Sequence, residues 1–183
     1  MRRSLWVTGL LLLFVLTIGA STVGSTPNAP TITLSPNPLS MPAGTTSALD
    51  VQIDGAQDLG AFEFIIAYDP AIVRIDGVTL GPLLGSTGNT ATLLGPVIDS
   101  SAGTVRFAAY TVGTAPGPDG GGRLATVQVR ALRDGISPLN FTKVRITNRA
   151  ATVAPGAAAI NGSVLVGAGT GPRLWIPWVR QSR

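Results

Sequence analysis

Hydrophobic and polar residues alternate along much of the chain with the period of two that is typical of β-strands. The clearest stretch runs from Ala61 to Tyr68. Its bulky side chains share one parity and suit a buried core: Phe62, Phe64, Ile66 and Tyr68. The other parity carries smaller residues and Glu63, the one Glu in the sequence. We therefore predict a strand with one buried and one outward face. It ends at Asp69-Pro70, because proline lacks the N–H that a strand ladder needs.

Similar runs recur at short intervals and predict nine strands. They cover residues 31–34, 48–53, 61–68, 72–80, 90–98, 104–112, 124–131, 139–146 and 162–166. Turn-forming residues separate these runs, most densely in the Pro- and Gly-rich segment 115–122. No convincing segment has the period of a helix. The pattern therefore predicts an all-β fold, a β-sandwich of about nine strands.

The two ends of the chain differ from this domain. Residues 1–25 start with Arg2 and Arg3 and continue with an apolar run shorter than the roughly 20 residues of a membrane span, which predicts a signal peptide. A linker is expected at 26–30, the folded domain at 31–167 and a C-terminal tail at 168–183. The tail contains two Trp and is expected to be either a disordered or loosely docked tail, or a short sorting or surface-attachment signal. We expect a secreted, extracellular protein, with cell-surface association as an alternative and no transmembrane segment after signal cleavage.

Net charge and cysteine content exclude two classes of protein. The chain carries +4, but between residues 27 and 168 eight basic residues face nine acidic ones, which leaves the domain near −1. A nucleic-acid-binding domain would carry a positive excess, so that class is excluded. The chain has no Cys. The domain must therefore be held together by packing rather than by disulfides.

The inventory of reactive side chains argues against catalysis. With no His and no Cys, the chain has neither a Ser-His-Asp nor a Cys-His arrangement, and no imidazole ligand for zinc. A glycosidase needs two carboxylates that flank the scissile bond, and the spacing of the acidic residues indicates no such pair. A calcium site around Asp54 and Asp58 stays open, although the EF-hand pattern is absent. We predict a domain that is not an enzyme and needs no cofactor.

Four segments resemble, in order, sequence blocks of cohesin domains. Tyr68-Asp69-Pro70 closes an aromatic-rich strand as in that family, and 103–110 resembles the family's central strand after a Gly turn. Residues 122–127 resemble its Gly-x-Leu-Ala-Thr-Ile strand, and 161–166 its closing strand. Together the blocks span nearly the whole predicted domain, 31–167. The resemblance implies a nine-stranded jelly-roll β-sandwich that binds another protein and performs no chemistry.

The resemblance also implies a binding face. In cohesins the dockerin partner lies across one sheet, on outward residues of the third, fifth, sixth and eighth strands. Carried over to this chain, the partner-binding positions include Ala61, Glu63, Ile65, Ala67, Arg106, Ala108 and Tyr110. Glu63 lies where the family often presents a carboxylate to the partner, whereas Ala61 replaces a commonly polar residue. Calcium would belong to the dockerin, which uses it to fold, and not to this chain. The alternative is an ordinary Glu63–Arg106 pair on a solvated face, worth under about 1 kcal/mol.

Three functions are compatible with these observations. The first is capture of a dockerin-like protein in a polysaccharide-degrading or cell-surface assembly. The second is direct carbohydrate binding, since cohesins share a superfamily fold with cellulose-binding modules. Such modules stack sugars on exposed aromatic rings, but no Trp lies between residues 27 and 168, and Tyr110 alone would be a poor platform. The third is a structural or adhesive surface protein. Protein binding is favoured.

Overall fold

The structure is a computed structural model that describes residues 29–167. The predicted signal peptide, most of the linker and the tail lie outside the described residues. Within these residues, no helix is both long and apolar enough to cross a membrane. The strands are β1 (Thr31–Ser35), β2 (Leu39–Met41), β3 (Thr46–Ala56), β4 (Leu59–Ala67), β5 (Val73–Leu80), β6 (Thr90–Asp99), β7 (Thr104–Val112), β8 (Gly120–Ala131), β9 (Gly135–Asn148), β10 (Ala158–Ala159) and β11 (Gly162–Val166). A short 3-10 helix at Leu83–Gly85 lies between β5 and β6.

The strands form two sheets, which confirms the predicted all-β sandwich. One sheet has the order β10-β1-β3-β8-β5 and the other β2-β11-β9-β4-β7-β6. Neighbours are antiparallel except for two short pairs, β1 with β10 and β11 with β2, which run parallel. Most strands that are consecutive in the chain, such as β4 and β5, lie in opposite sheets, whereas β6 and β7 are neighbours in one sheet. Most of the pairing is therefore long-range, as in Greek-key sandwiches.

The core lies between the sheets and is built from the inward parity of each strand. Phe62, Phe64, Ile66 and Tyr68 are all buried, as their alternation predicts. Three of the aromatic rings, those of Phe62, Phe64 and Phe107, have centroids 5.9–6.1 Å apart. Aromatic pairs at this separation stabilise the fold beyond the effect of the area that they bury. From the other sheet, Leu49, Val51 and Ile53 of β3 are buried against them.

The described residues contain eleven strands, so the predicted number, nine, was too low. The additional strands are β2 and β10, of three and two residues. Such short segments cannot show a period of two. They exist because the backbone of β11 pairs with β2 and that of β1 with β10. These contacts join segments more than a hundred residues apart in the chain.

The Gly-rich segment was assigned to a turn, and this assignment was wrong in part. Gly120, Gly121 and Gly122 begin β8, and Gly120 and Gly122 pair with Ala56 and Ile53 at the end of β3. A Cβ on Gly122 would lie 3.0 Å from the Leu83 side chain. The absence of a side chain at Gly122 therefore lets the 3-10 helix pack against the sheet. Composition alone cannot distinguish a glycine with this packing role inside a strand from a glycine in a turn.

Candidate functional site

The outer face of the larger sheet brings the predicted binding residues together. This face, here called the β6–β9 face, consists of β9, β4, β7 and β6 in that spatial order. These are the eighth, third, sixth and fifth of the strands predicted from the sequence. Ala61 pairs with Tyr110, Glu63 with Ala108, and Ile65 with Arg106 across the β4–β7 ladder. The parity assigned to β4 is therefore the observed one, while the binding role of these residues remains a prediction.

Strand register aligns the outward residues in four rows that each cross all four strands. From β9 to β6 the rows are Thr147-Ala61-Tyr110-Thr92, Arg145-Glu63-Ala108-Leu94, Lys143-Ile65-Arg106-Val97 and Asn140-Ala67-Thr104-Asp99. Bulges in β6 and β9 shift the register within the face, and the β6 bulge lies between Leu94 and Val97. The two middle rows hold both the charges and the apolar side chains of the face.

Glu63 is the electrostatic centre of the β6–β9 face. Arg106 Nε lies 2.7 Å from its Oε1, and Lys143 Nζ lies 2.8 Å from its Oε2. The Glu63 side chain is only 13% exposed, while those of Arg106 and Lys143 are 55% and 47% exposed. The predicted Glu63–Arg106 pair is thus present, and Lys143 makes it a network of three charges.

The two cations change the acidity of Glu63. The hydrogen bond from Lys143, more than that from Arg106, holds the pKa of Glu63 below its ordinary value and outweighs the desolvation that would raise it. Glu63 is therefore ionised at neutral pH. Each of its oxygens already accepts a charge-assisted hydrogen bond.

An apolar patch adjoins this network. Leu94 and Val97 of β6 are 56% and 60% exposed, and Tyr110 of β7 is 37% exposed. Ala108 lies between them and was expected to face outward, yet it is buried at 5% exposure. Its outward position is unchanged, but the larger side chains around it cover its methyl group. Ala61 and Ala108 thus form the floor of a shallow depression, which Glu63, Leu94, Arg106, Tyr110 and Arg145 surround.

Four residues of this face were not singled out from the sequence. They are Leu94 and Val97 on β6, and Lys143 and Arg145 on β9. The apolar run within 90–98 was a usable signal for β6, but the bulge reverses the parity of the residues that follow it. For β9 the alternation of Lys143, Arg145 and Thr147 was visible in the sequence. This alternation could not show that β9 lies beside β4, because the order of strands in a sheet depends on the whole topology.

The outer face of the smaller sheet has a different character. Asp76 pairs with Arg74 and Arg130, and Asp50 pairs with Arg123. None of the nine large apolar side chains that are exposed among the described residues lies on β1, β3, β5 or β8, whereas four lie at outward positions of β6 and β7: Leu94, Val97, Tyr110 and Val112. Exposed apolar side chains that cluster on one face mark an interaction surface, and those that are scattered do not. The β6–β9 face is therefore the candidate site.

The acidic residues considered for calcium have other roles. The Asp58 carboxylate accepts a hydrogen bond from the Gly117 N–H at 2.7 Å, and Asp54 accepts one from the Gly55 N–H. Within residues 29–167, no group of three or more acidic side chains is arranged to hold a metal ion. These carboxylates instead stabilise loops at one end of the sandwich.

A second cleft lies at that end of the sandwich. Pro30, Gly55, Ile146, Asn148 and Pro155 line it together with other residues that are all uncharged. The cleft is mostly apolar and brings no titratable side chains together, so it offers no chemistry comparable to that of the β6–β9 face.

Comparison with known proteins identifies the architecture. The family model described as "Cohesin domain" matches residues 32–166. No curated protein gives a significant match. Among solved structures, similar chains include a non-cellulosomal cohesin from the hyperthermophilic archaeon Archaeoglobus fulgidus, with 17% identity, a TM-score of 0.59, and coverage of 76% of this chain and 92% of that one.

Two bacterial structures are similar to the same extent. One is a type I cohesin–dockerin complex from Clostridium thermocellum, with 14% identity, a TM-score of 0.62, and coverage of 76% of this chain and 99% of that one. The other is the second type II cohesin module of the adaptor ScaA scaffoldin from Acetivibrio cellulolyticus, with 16% identity, a TM-score of 0.58, and coverage of 74% and 88%. At these identities, the likeness shows a shared fold.

Proposed function

The chain belongs to the cohesin family, and from this premise we propose that it is a non-catalytic module that captures a dockerin-type protein on its β6–β9 face. One observation carries the assignment to this face: four of the nine exposed large apolar side chains among the described residues lie at outward positions of β6 and β7. They adjoin the charged network of Glu63. Exposed apolar side chains on β6 and β7 beside charged side chains on β4, β7 and β9 give the mixed apolar and polar composition of a protein-binding surface.

The exposure of each side chain indicates how much it would contribute to the binding free energy. Leu94 and Val97 are more than half exposed, so a partner that covers them removes their apolar area from water. The pairs of Glu63 with Arg106 and Lys143 are already formed, so they add little new energy on binding. We therefore expect the apolar side chains to supply affinity and the charges to select the partner.

The setting of this function is part of the proposal. Residues 1–25 have the pattern of a signal peptide, so we propose a secreted or cell-surface protein. The partner would then be a secreted protein that carries the dockerin, as in polysaccharide-degrading or surface assemblies. Direct polysaccharide binding has less support, because Tyr110 is the one exposed large aromatic side chain in residues 29–167.

Binding of purified dockerin-type domains tests the proposal. Candidates are the domains with paired calcium-loop repeats that the source genome encodes, measured by calorimetry with calcium against the full chain. We expect one of them to bind with a Kd of about 1 μM or tighter. Leu94→Asp should weaken binding by about 30-fold, because it replaces an apolar contact with a charge that the partner would have to desolvate.

The matched control is Leu132→Asp. Leu132 is also exposed, at 44%, but it lies between β8 and β9 at an end of the sandwich, away from the apolar patch. It should leave the affinity unchanged, and both variants should unfold at nearly the wild-type temperature. Failure of every candidate to bind, or equal loss in the two variants, would contradict the proposal.

A further inference from the structure

The middle rows of the β6–β9 face carry an excess of positive charge. They contain Arg106, Lys143 and Arg145 against a single carboxylate, that of Glu63. Asp99, at the edge of the face, is engaged with its own turn through the Ser101 hydroxyl and the Ala102 N–H. A partner that approaches the centre of this face therefore meets a positive surface.

Arg145 is the cation that remains available. Arg106 and Lys143 both contact Glu63, although each is paired in register with Ile65. Arg145 is the residue in register with Glu63 on β9, and among the described residues it has no ion pair and no side-chain hydrogen bond. The two cations that reach Glu63 from the neighbouring row occupy the oxygens that Arg145 would otherwise use.

Glu63 itself offers little to a partner. Both oxygens are occupied and its side chain is 13% exposed. A partner cation aimed at Glu63 would have to displace Arg106 or Lys143 and would meet their charges on the way. A partner carboxylate, in contrast, would find the exposed guanidinium of Arg145 and could bind it in the bidentate geometry that arginine favours.

The spacing of the row adds a geometric condition. Arg145 and Leu94 lie at opposite ends of the row that also contains Glu63 and Ala108. Three strand spacings separate them, which is about 14 Å. An α-helix rises 1.5 Å per residue with 3.6 residues per turn, so residues seven or eleven positions apart lie on one face of the helix, about 10.5 or 16.5 Å from each other. A helix laid across the strands would therefore reach both ends of the row with such a pair. The depression floored by Ala61 and Ala108 gives such a helix room to approach the sheet.

From this arrangement, and resting on the function proposed above, we propose that the partner presents an acidic, amphipathic helix across the strands of the β6–β9 face. One or more of its carboxylates bind Arg145, with Lys143 nearby, and an apolar residue seven or eleven positions away on the same helix face covers Leu94 and Val97. The charge of this face thus selects for acidic partners and against basic ones.

Selection from a displayed library tests this inference. The probe is a yeast-display library of one calcium-loaded dockerin domain whose exposed helix positions are randomised, sorted for binding to the full chain. We expect the selected helices to be enriched in Asp and Glu. Their binding should weaken as NaCl rises from about 50 to 500 mM, because partly exposed charges are screened over that range. Arg145→Glu should weaken the selected binders by at least about 10-fold.

Controls separate a local from a global effect of charge. Arg133→Glu makes the same change in net charge but lies between β8 and β9, at an end of the sandwich, so it should leave the affinity unchanged. A second selection against the Arg145→Glu variant should favour Lys and Arg at the same helix positions. Both variants are first checked for wild-type unfolding, so a loss of binding cannot arise from misfolding.

The outcomes distinguish the two proposals. If no binder is selected, or if the binders are insensitive to Leu94→Asp, the dockerin-binding function of this face fails. If the binders depend on Leu94 but are neutral or basic, or tolerate Arg145→Glu, only the acidic-partner inference fails. Acidic binders that depend on both Leu94 and Arg145 support both.

Discussion

Lys143 Nζ lies 2.8 Å from Glu63 Oε2, although the strand register pairs Lys143 with Ile65. Arg106 reaches the other oxygen of Glu63 from the same row on the opposite side. The one Glu of the chain is thus bound diagonally by one cation from each neighbouring strand. Within residues 29–167 this geometry leaves Arg145 without an ion pair or a side-chain hydrogen bond, and it makes a face with a central carboxylate positive toward a partner.

The first prediction concerns the pH dependence of stability. The pKa of Glu63 is lowered, first by Lys143 and then by Arg106, so its contribution to the free energy of unfolding is present above the unfolded pKa near 4.5. That contribution is lost as pH falls through the lower folded pKa. Glu63→Gln should therefore cost about 1 kcal/mol at pH 7, a modest figure because both cations are half exposed, and less in acid.

Urea unfolding of both proteins across pH 7 to 2.5 checks this. Asp76 also has a lowered pKa, owing to Arg130 and then Arg74, but it titrates in both proteins and cancels from their difference. A difference that stays constant with pH would show that the ionisation of Glu63 is not coupled to folding.

The second prediction concerns Gly103, in the turn between β6 and β7, which packs against the turn after β4. Gly103 has φ +63°, and its carbonyl accepts a hydrogen bond from the Tyr68 N–H at 2.8 Å. A Cβ at this position would lie 2.7 Å from Pro70 Cδ and would also clash with the Tyr68 carbonyl. Gly103→Ala should therefore lower the free energy of unfolding by about 2 kcal/mol or more.

Gly77 provides the matched glycine. It has no positive φ, and a Cβ added to it meets no atom within 4 Å. Gly77→Ala should change stability by less than about 1 kcal/mol, measured in the same denaturant titration. Equal costs for the two substitutions would mean that the close packing of Gly103 against Tyr68 and Pro70 does not limit this turn.

The third prediction concerns the hydroxyl of Tyr68. The side chain is buried, and its hydroxyl has no hydrogen-bond partner in the described part of the protein. A buried hydroxyl without a partner keeps its desolvation cost. Tyr68→Phe should therefore leave the free energy of unfolding unchanged or raise it by up to about 1 kcal/mol. Thermal and urea unfolding measure this, and a loss above about 1 kcal/mol would show that the hydroxyl is satisfied in solution.

Alternation predicted the individual strands well. The parity of β4 and β3, and the stop at Asp69-Pro70, follow from steric and hydrogen-bonding properties of a few neighbouring residues. The same local logic failed for β2 and β10, which are too short to show a period. It also failed for Gly120, Gly121 and Gly122, where glycine serves packing inside a strand and not a turn.

The sequence predicted only some of the residues of the candidate site. The residues on β4 and β7 could be named because their outward parity is visible in the sequence and because the chain resembles cohesins. Leu94 and Val97 could not, since the β6 bulge changes which residues face outward beyond it. The sequence also could not show that Lys143 contacts Glu63 while Arg145 does not. These two residues lie two positions apart on one strand, so they have the same parity and the same charge.

The sequence by itself therefore determined that this chain is a disulfide-free β-sandwich with a core-facing aromatic strand, since alternation, turn chemistry and composition are local properties. Only the tertiary structure decided which strands become neighbours, and with that the composition of the outer face. Register then decided that Glu63 is shared between Arg106 and Lys143 while Arg145 stays available. The physical reason is the sequence separation of the interacting residues. The parity of burial is set by adjacent residues, whereas an ion pair across a sheet depends on contacts between strands that are dozens of residues apart in the chain.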